Sequence, residues 1–391
     1  MKVLVVSHAC CTATNQSFYA DLEAETGCQV SLVIPSRWSN QYGITDTSAR
    51  WPGLHADIKR INVFRPGNIP SHLYRSWFIA LLRQQKPDAI YVHQEPYGLS
   101  TFQVCLANYL TGKRPIGFYA AQNILKAYPP PIRQMERWVF QQSRFALPVT
   151  QSALDLLRAK GYQHAAKVLP LAIDAGMYHP SPDWRSRQRA RLGIGPDRFV
   201  LGYVGRLVEE KGIDKLLVAL DQLKQVPWEL LLIGSGPFEA PLRQKVDRMR
   251  DGRGRVHFIG YVSHDETSRW LSSFDVLVLP SQTTPNWKEQ FGRVLLEAMA
   301  CGTPVVGSSS GEIPNVINAT GGGLIFPEQD THALAENLTL LAGAPSLRRN
   351  LIDRGQRSVA ELYDQRHLVR SFASVIKDVI TSHSYVNTQH N

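Results

Sequence analysis

The chain has no run of about 18 consecutive apolar residues, so no part of its sequence is suited to cross a bilayer as a helix. Its first residues, MKVLVVSHACC, offer one lysine, a short apolar stretch and no small-residue cleavage site, which is too little for a secretory leader. Cysteine is scarce and odd in number: five, with Cys10 and Cys11 adjacent, in a spacing that suits neither a disulfide framework nor a zinc site. Together these features predict a cytoplasmic protein and argue against an exported solute-binding protein. Also missing is an Asp-x-Asp pair or any His, Cys or carboxylate cluster at metal-ligand spacing, so neither a metal nor a separate cofactor is expected. No Gly-x-Gly-x-x-Gly turn followed by an acidic residue about 20 positions on is present, which argues against nicotinamide-dependent oxidoreduction.

What is present is ample apolar mass. Of 391 residues 43% are hydrophobic, with 28 glycines and 24 prolines, a balance that predicts a globular chain of two domains. Charge is unevenly spread: residues 1–180 carry 18 Lys and Arg against 10 Asp and Glu, whereas residues 181–391 carry 25 against 23. The basic first part suggests an anionic partner, either a phosphorylated acceptor or a membrane face.

Short Val-, Ile- and Leu-rich runs alternate with helix-length stretches throughout. The first half offers KVLVVS, QVSLVIP, DAIYVH, PIGFYA, FALPVT and AKVLPL; the second repeats the rhythm with RFVLGYVG, ELLLIGSG, RVHFIGYV, DVLVLPS, PVVGSSS and GGLIFP. Strands alternating with helices predict an α/β chain with one parallel sheet per half, each covered on both faces. The expected domains are residues 1–175 and 176–365, with residues 366–391 as a terminal helix that crosses back, plus a tail. The Pro-, Gly- and Arg-rich stretch from Leu169 to Phe199 is read as the hinge, and its WRSRQRARLG run as a solvated, charged connection. The final helical stretch, about residues 346–381, is long enough to leave its own domain and fold back.

Open parallel sheets bind ligands beyond the carboxyl ends of their strands. In the second half those ends carry GYVGRLVEEKGID, LLIGSGPFE, VLPSQTTPNWKEQFG and GSSSGEIP. Arg206 follows the first strand and Lys211 stands five residues later, at the expected start of the next helix. Two cations beside exposed backbone N–H groups make a receptor for a diphosphate. The plainer alternative pairs both cations with Glu209 and Glu210 on a solvated turn.

Glu289 and Glu297 are eight positions apart across the start of a helix. At about 1.5 Å per residue they stand roughly 12 Å apart along its axis, or less if the preceding loop curls back. That is too wide for a glycosidase pair, whose carboxyls are about 5 to 9.5 Å apart. It suits a grip on both ends of an extended ligand whose anionic middle lies over the amides of Phe291, Gly292, Arg293 and Val294. Gly292 lets the backbone come close. Carboxylates at both extremes call for hydroxyl donors, and the implied molecule is a nucleotide sugar.

EQFGRVLLEAMACGTPVVGSSSGEIPNVI, with GYVGRLVEEKGIDKLL, LLLIGSGP and GGGLIFPEQD, resembles the donor half of retaining glycosyltransferases of the GT-B fold, in the large fourth family (glycosyl transferases group 1). The likeness is strong over residues 198–342 and weaker over 1–170. It implies two Rossmann-like domains facing each other across a cleft and transfer of a sugar from a UDP- or GDP-linked donor, with retention and without a metal, to a sugar or lipid-linked saccharide. It further implies that Glu289 meets donor-sugar hydroxyls, Glu297 the ribose, and Arg206 and Lys211 the diphosphate, with Gly205 and Gly234 beside the donor. Gln290 departs from the small residue common after the first glutamate. A nucleotide-sugar epimerase or hydrolase of the same fold is the rival reading.

On the acceptor side the candidates are His93 and Glu95, in YVHQEPYG, and Gln122, in GFYAAQN, where many relatives place a histidine. His93 is read first as a histidine satisfied at a strand end, and second as a sugar contact. In AYPPPIRQMERWVFQQSRF, Arg133, Arg137, Trp138, Phe140 and Arg144 form a packed helix in the first reading and a lipid-facing surface at the inner face of the membrane in the second. No nucleic-acid partner is expected.

Overall fold

The computed structural model describes residues 1–40, 43–76 and 78–388. Residues 1–172 with 365–391 form one folding unit and residues 173–364 the other. All of the basic excess falls in the first unit, which carries 21 Lys and Arg against 10 Asp and Glu, while the second carries 22 against 23.

The first unit is built on a seven-stranded parallel sheet. Across it the strands run Ala165–Ala166, Phe145–Pro148, Ile116–Ala120, Ala89–Val92, Lys2–Val6, Gln29–Pro35 and Asp57–Ile61. Its central strands are apolar on both faces because helices cover both; Val3, Leu4, Val5, Ile90 and Val92 are fully sequestered. One face packs Phe78, Leu82, Val104 and Phe140. The other packs Tyr19, Leu22, Tyr91 and Phe145 with Val369, Phe372 and Ile376 of the terminal helix Gln365–Thr388. That helix lies along Ser17–Thr26, tied by Gln365 to Asp21 (2.8 Å) and Arg370 to Glu25 (2.8 Å). The sheet reverses its strand order between Lys2–Val6 and Ala89–Val92, whose carboxyl ends lead to Ser7 and His8 on one side and to His93, Gln94 and Glu95 on the other.

The second unit is a six-stranded parallel sheet ordered Val256–Gly260, Trp228–Ile233, Phe199–Val204, Val276–Leu279, Val305–Ser308 and Gly323–Phe326. Numbered along the chain, this is the doubly wound order 3-2-1-4-5-6. The run WELLLI is buried along its whole length, as a central parallel strand must be. The switch point falls between Phe199–Val204 and Val276–Leu279, so the segments beginning at Gly205 and Ser281 emerge side by side.

One sequence expectation is corrected. The WRSRQRARLG run is not a solvated connection: it forms the helix Pro182–Arg191, with Arg189 only 8% exposed. Asp275 gathers Arg185 (2.5 Å), Arg189 (2.9 Å) and the Val200 amide (2.7 Å), so the carboxylate is met inside the fold by two guanidinium groups of that helix and one backbone N–H. The helical stretch 346–381 consists of two helices, Pro345–Leu362 and Gln365–Thr388, and the chain passes from one unit to the other at the break. In the helix Pro130–Gln142, Phe140 stacks on Phe118 and Trp138 meets Phe102 and Tyr109 edge-on, which is the packed arrangement.

Candidate active site

At the switch point of the second unit the backbone is brought close by glycine. A Cβ on Gly234 would stand 1.9 Å from the Gly205 carbonyl oxygen, and one on Gly212 would stand 2.0 Å from that of Pro280. Both glycines have positive φ, +128° and +64°, so any side chain would meet strain as well as collision. Gly212 ends a short turn, Glu209–Lys211, and the next helix, Ile213–Asp221, begins after it.

This geometry delivers Lys211 to Glu289. Lys211 Nζ lies 2.6 Å from Glu289 Oε2, the same oxygen accepts the Ser281 hydroxyl at 2.8 Å, and the ammonium sits 4.8 Å from the Trp287 ring centroid. The alternative of Lys211 pairing with Glu209 or Glu210 is therefore not the arrangement found. Glu289 is itself pinned, because its carbonyl accepts the Glu312 amide at 3.1 Å. Arg206, exposed on the rim, has no ion pair among the described residues, while its carbonyl accepts the Tyr203 hydroxyl at 2.7 Å.

Three residues after Glu289 the chain turns through Gly292, at φ +77°, into the helix Arg293–Ala300. The amides of Phe291, Gly292, Arg293 and Val294 have no acceptor among the described residues. They form the positive end of the helix dipole, where an anion is favoured. Phe291 is buried beside Tyr363, and Arg293 and Val294 are half-buried. On the second turn Glu297 is 7% exposed and meets Arg293 Nε at 3.1 Å; the Tyr178 phenol and the His264 imidazole stand close enough to feel its charge. Burial, and then the Glu297 charge, push the Tyr178 phenol up, so it stays protonated and can donate. The sequence points to Arg206, Lys211, Glu289 and Glu297 but not to Ser281, Trp287, Tyr178 or His264. Only Ser281 and Trp287 lay within a rim segment already singled out; Tyr178 and His264 arrive from elsewhere in the chain.

In the first unit His93 and Glu95 leave the same strand end but do different things. His93 Nδ1 is 3.0 Å from the Tyr19 hydroxyl, its ring stacks on Tyr91 and meets Tyr119, and burial pushes its pKa down to about 4. Glu95 turns inward, where one oxygen accepts the amides of Ala121 (2.8 Å) and Gln122 (2.9 Å). Burial pushes its pKa up to about 7 against the pull of those amides and of Lys160. Gln122 accepts the Tyr97 hydroxyl (3.3 Å) and donates to the Ile124 carbonyl (2.9 Å). His8, missed by sequence reading, packs with Trp38 and His72, and burial, then His72, push its pKa down to about 3. The imidazoles here are uncharged at neutral pH.

The family described as glycosyl transferases group 1 matches residues 185–358. The chain is 27% identical over 340 residues to a Salmonella typhimurium protein named WcaL and assigned to glycosyl transfer in colanic acid biosynthesis, covering 84% of this chain and 80% of that one. It is 31% identical over 196 residues to a GDP-mannose-dependent monoacylated α-(1-6)-phosphatidylinositol monomannoside mannosyltransferase of Corynebacterium glutamicum, over 49% of this chain and 50% of that one. Among solved structures, HepE of Anabaena in complex with UDP superposes with a TM-score of 0.75 at 18% identity, over 97% of this chain and 100% of that one. The fold is that of the GT-B glycosyltransferases. The family match lies within the second unit, and with these likenesses it marks the chain as a glycosyltransferase enzyme.

Proposed function

We propose that the second unit binds a UDP- or GDP-linked sugar and that the enzyme transfers this sugar, with retention, to a saccharide or lipid-linked saccharide held by the first unit, in the synthesis of a surface glycan or glycoconjugate. The observation that carries this reading is the set of unpartnered amides from Phe291 to Val294, flanked by Glu289 with Lys211 before them and by Glu297 with Arg293 and Tyr178 after them. A diphosphate meets the amides and the Arg206 and Lys211 cations, the transferred sugar hydroxyls meet Glu289, and the ribose meets Glu297. Gly205 and Gly234 leave room at the neighbouring strand ends.

Breaking the bond between the anomeric carbon and the phosphate oxygen leaves negative charge on the diphosphate and an oxocarbenium-like sugar. Lys211, Arg206 and the helix amides stabilise that charge more as it develops than in the intact donor. The acceptor oxygen then bonds to the anomeric carbon from the face the phosphate is leaving, and the departing phosphate oxygen takes the acceptor proton. The printed names of two similar proteins support the two donor classes: HepE was crystallised with UDP, and the Corynebacterium enzyme is described as GDP-mannose-dependent. The charge of the first unit suits an anionic acceptor or lipid surface.

A panel of UDP- and GDP-sugars tested by thermal shift, with chelator present, checks the reading. A ligand at 100 times its dissociation constant should stabilise the protein by about 2.7 kcal/mol. Absence of any shift across the panel, or stabilisation by a nicotinamide dinucleotide instead, would reject it. Donor turnover at full rate without acceptor would favour the epimerase or hydrolase reading.

A further inference from the structure

The Glu95 carboxylate sits where a strand of the first unit ends, yet it does not open to solvent: it is 9% exposed. Its backbone carbonyl is held by the Thr101 hydroxyl (2.8 Å) and the Gly98 amide (3.1 Å), at the start of the helix Leu99–Thr111. Its side chain crosses to the next strand end and receives two consecutive amides, Ala121 and Gln122, on a single oxygen. Two successive N–H groups pointing at one atom form an anion-binding turn, a conformation that a negative charge stabilises and a neutral acid holds less well. The charged and titratable groups around it are Lys160, Glu136, Tyr91, Tyr97 and Tyr128. Lys160 is already bound to Glu136 at 2.8 Å and lies over the Tyr128 ring, and burial keeps the three phenols protonated. The amide turn is therefore the principal hydrogen-bonding support of the carboxylate, as the carboxylate is of the turn.

We propose that Glu95 is a positioning residue for acceptor use: ionised, it fixes the Ala121–Gln122 turn and so the side chain of Gln122; protonated, it lets that turn loosen. This rests on the reading that the first unit takes the acceptor. The carboxyl group titrates near neutrality, because burial raises it to about 7, so the turn tightens between pH 6 and pH 8.

Amide hydrogen exchange on the full-length wild-type protein and on Glu95→Gln, normalised to the intrinsic rate at each pH, tests this without a ligand. In the wild type, protection of the Ala121 and Gln122 amides should be about fivefold lower at pH 6 than at pH 8, the scale of one charge-assisted hydrogen bond becoming neutral. In Glu95→Gln it should be low and flat. Constant wild-type protection, or wild-type protection retained in the variant at pH 8, overturns the proposal; the wild-type measurement alone decides it if the variant does not fold. With an acceptor from the donor panel, kcat/KM for that acceptor should lose its rise between pH 6 and 8 in the variant. An equal loss at every pH would reduce Glu95 to a structural role and overturn the proposal. Thermal shift by UDP- and GDP-sugars is read in parallel: its failure in the wild type would reject the functional reading while the exchange result still decides Glu95.

Discussion

The ammonium of Lys211 and the carboxylate of Glu289 meet at 2.6 Å although 78 residues separate them in the chain. The meeting is made by topology. Lys211 follows the first strand of the second unit, Glu289 follows the fourth, and the doubly wound order sets those two strands side by side. Under the proposed function the pair lies where the sugar joins the phosphate, so each member holds the other ready for a different part of one ligand.

Glu289→Ala is expected to lower turnover at least 100-fold with the far-ultraviolet circular dichroism unchanged, about 2.7 kcal/mol of transition-state stabilisation. Lys211→Ala should do the same, and the double variant should lose less than the two single losses combined, because the residues share one interaction. His93→Ala should cost much less, its imidazole being occupied by Tyr19. Small and equal effects from Glu289→Ala and His93→Ala would remove Glu289 from the site.

Arg206 stands on the rim, exposed and without an ion pair among the described residues, as expected for a cation that meets a ligand. Arg206→Ala should weaken UDP or GDP binding in calorimetry by about 1.5 to 3 kcal/mol, the worth of a hydrogen bond to a charged group. The affinity of the variant should also depend less on salt. Unchanged affinity for both nucleotides would place Arg206 outside the donor site.

Asp275 should matter to stability rather than to turnover. Burial alone would raise its carboxyl, but Arg185, Arg189 and the Val200 amide outweigh it and hold the group below the ordinary carboxylate range. A depressed carboxylate contributes stability that is complete above its unfolded value and is lost as pH falls through the lower folded value. Denaturant midpoints of the wild type should therefore drop on the acid side of that range through this group, and Asp275→Ala should abolish its share of the drop. At neutral pH the substitution strands the buried Arg189, at a cost of about 3 to 5 kcal/mol. A midpoint within error of the wild type would refute this.

Phe372 reports on the terminal helix. It is fully buried between Phe18 and Tyr91, at ring distances of 5.8 and 5.2 Å. Phe372→Ala should destabilise the first unit by about 3 to 5 kcal/mol in urea unfolding. Nucleotide binding by the second unit should be unchanged in native buffer, because Phe372 belongs to the other core. A loss of nucleotide affinity in the folded variant would contradict that separation.

Much of this was legible in residue order. Unbroken apolar runs such as WELLLI announce strands covered on both faces, and Gly292 before an apolar stretch announces the turn into a helix. The arginine run misled because its composition is that of an exposed surface. Nothing local shows that Asp275, more than 80 residues on, will take Arg185 and Arg189 inside.

Local patterning determined that this chain would be two parallel α/β units and which short segments would stand at their strand ends, since period and burial are properties of neighbouring residues. Which atoms meet there was decided only in three dimensions. Lys211 finds Glu289, Arg189 finds Asp275, and Glu95 turns from the rim to the Ala121 and Gln122 amides. Such contacts depend on strand order and on helix packing across long stretches of chain, and on the need of every buried charge for a partner, a need that no local run of residues states.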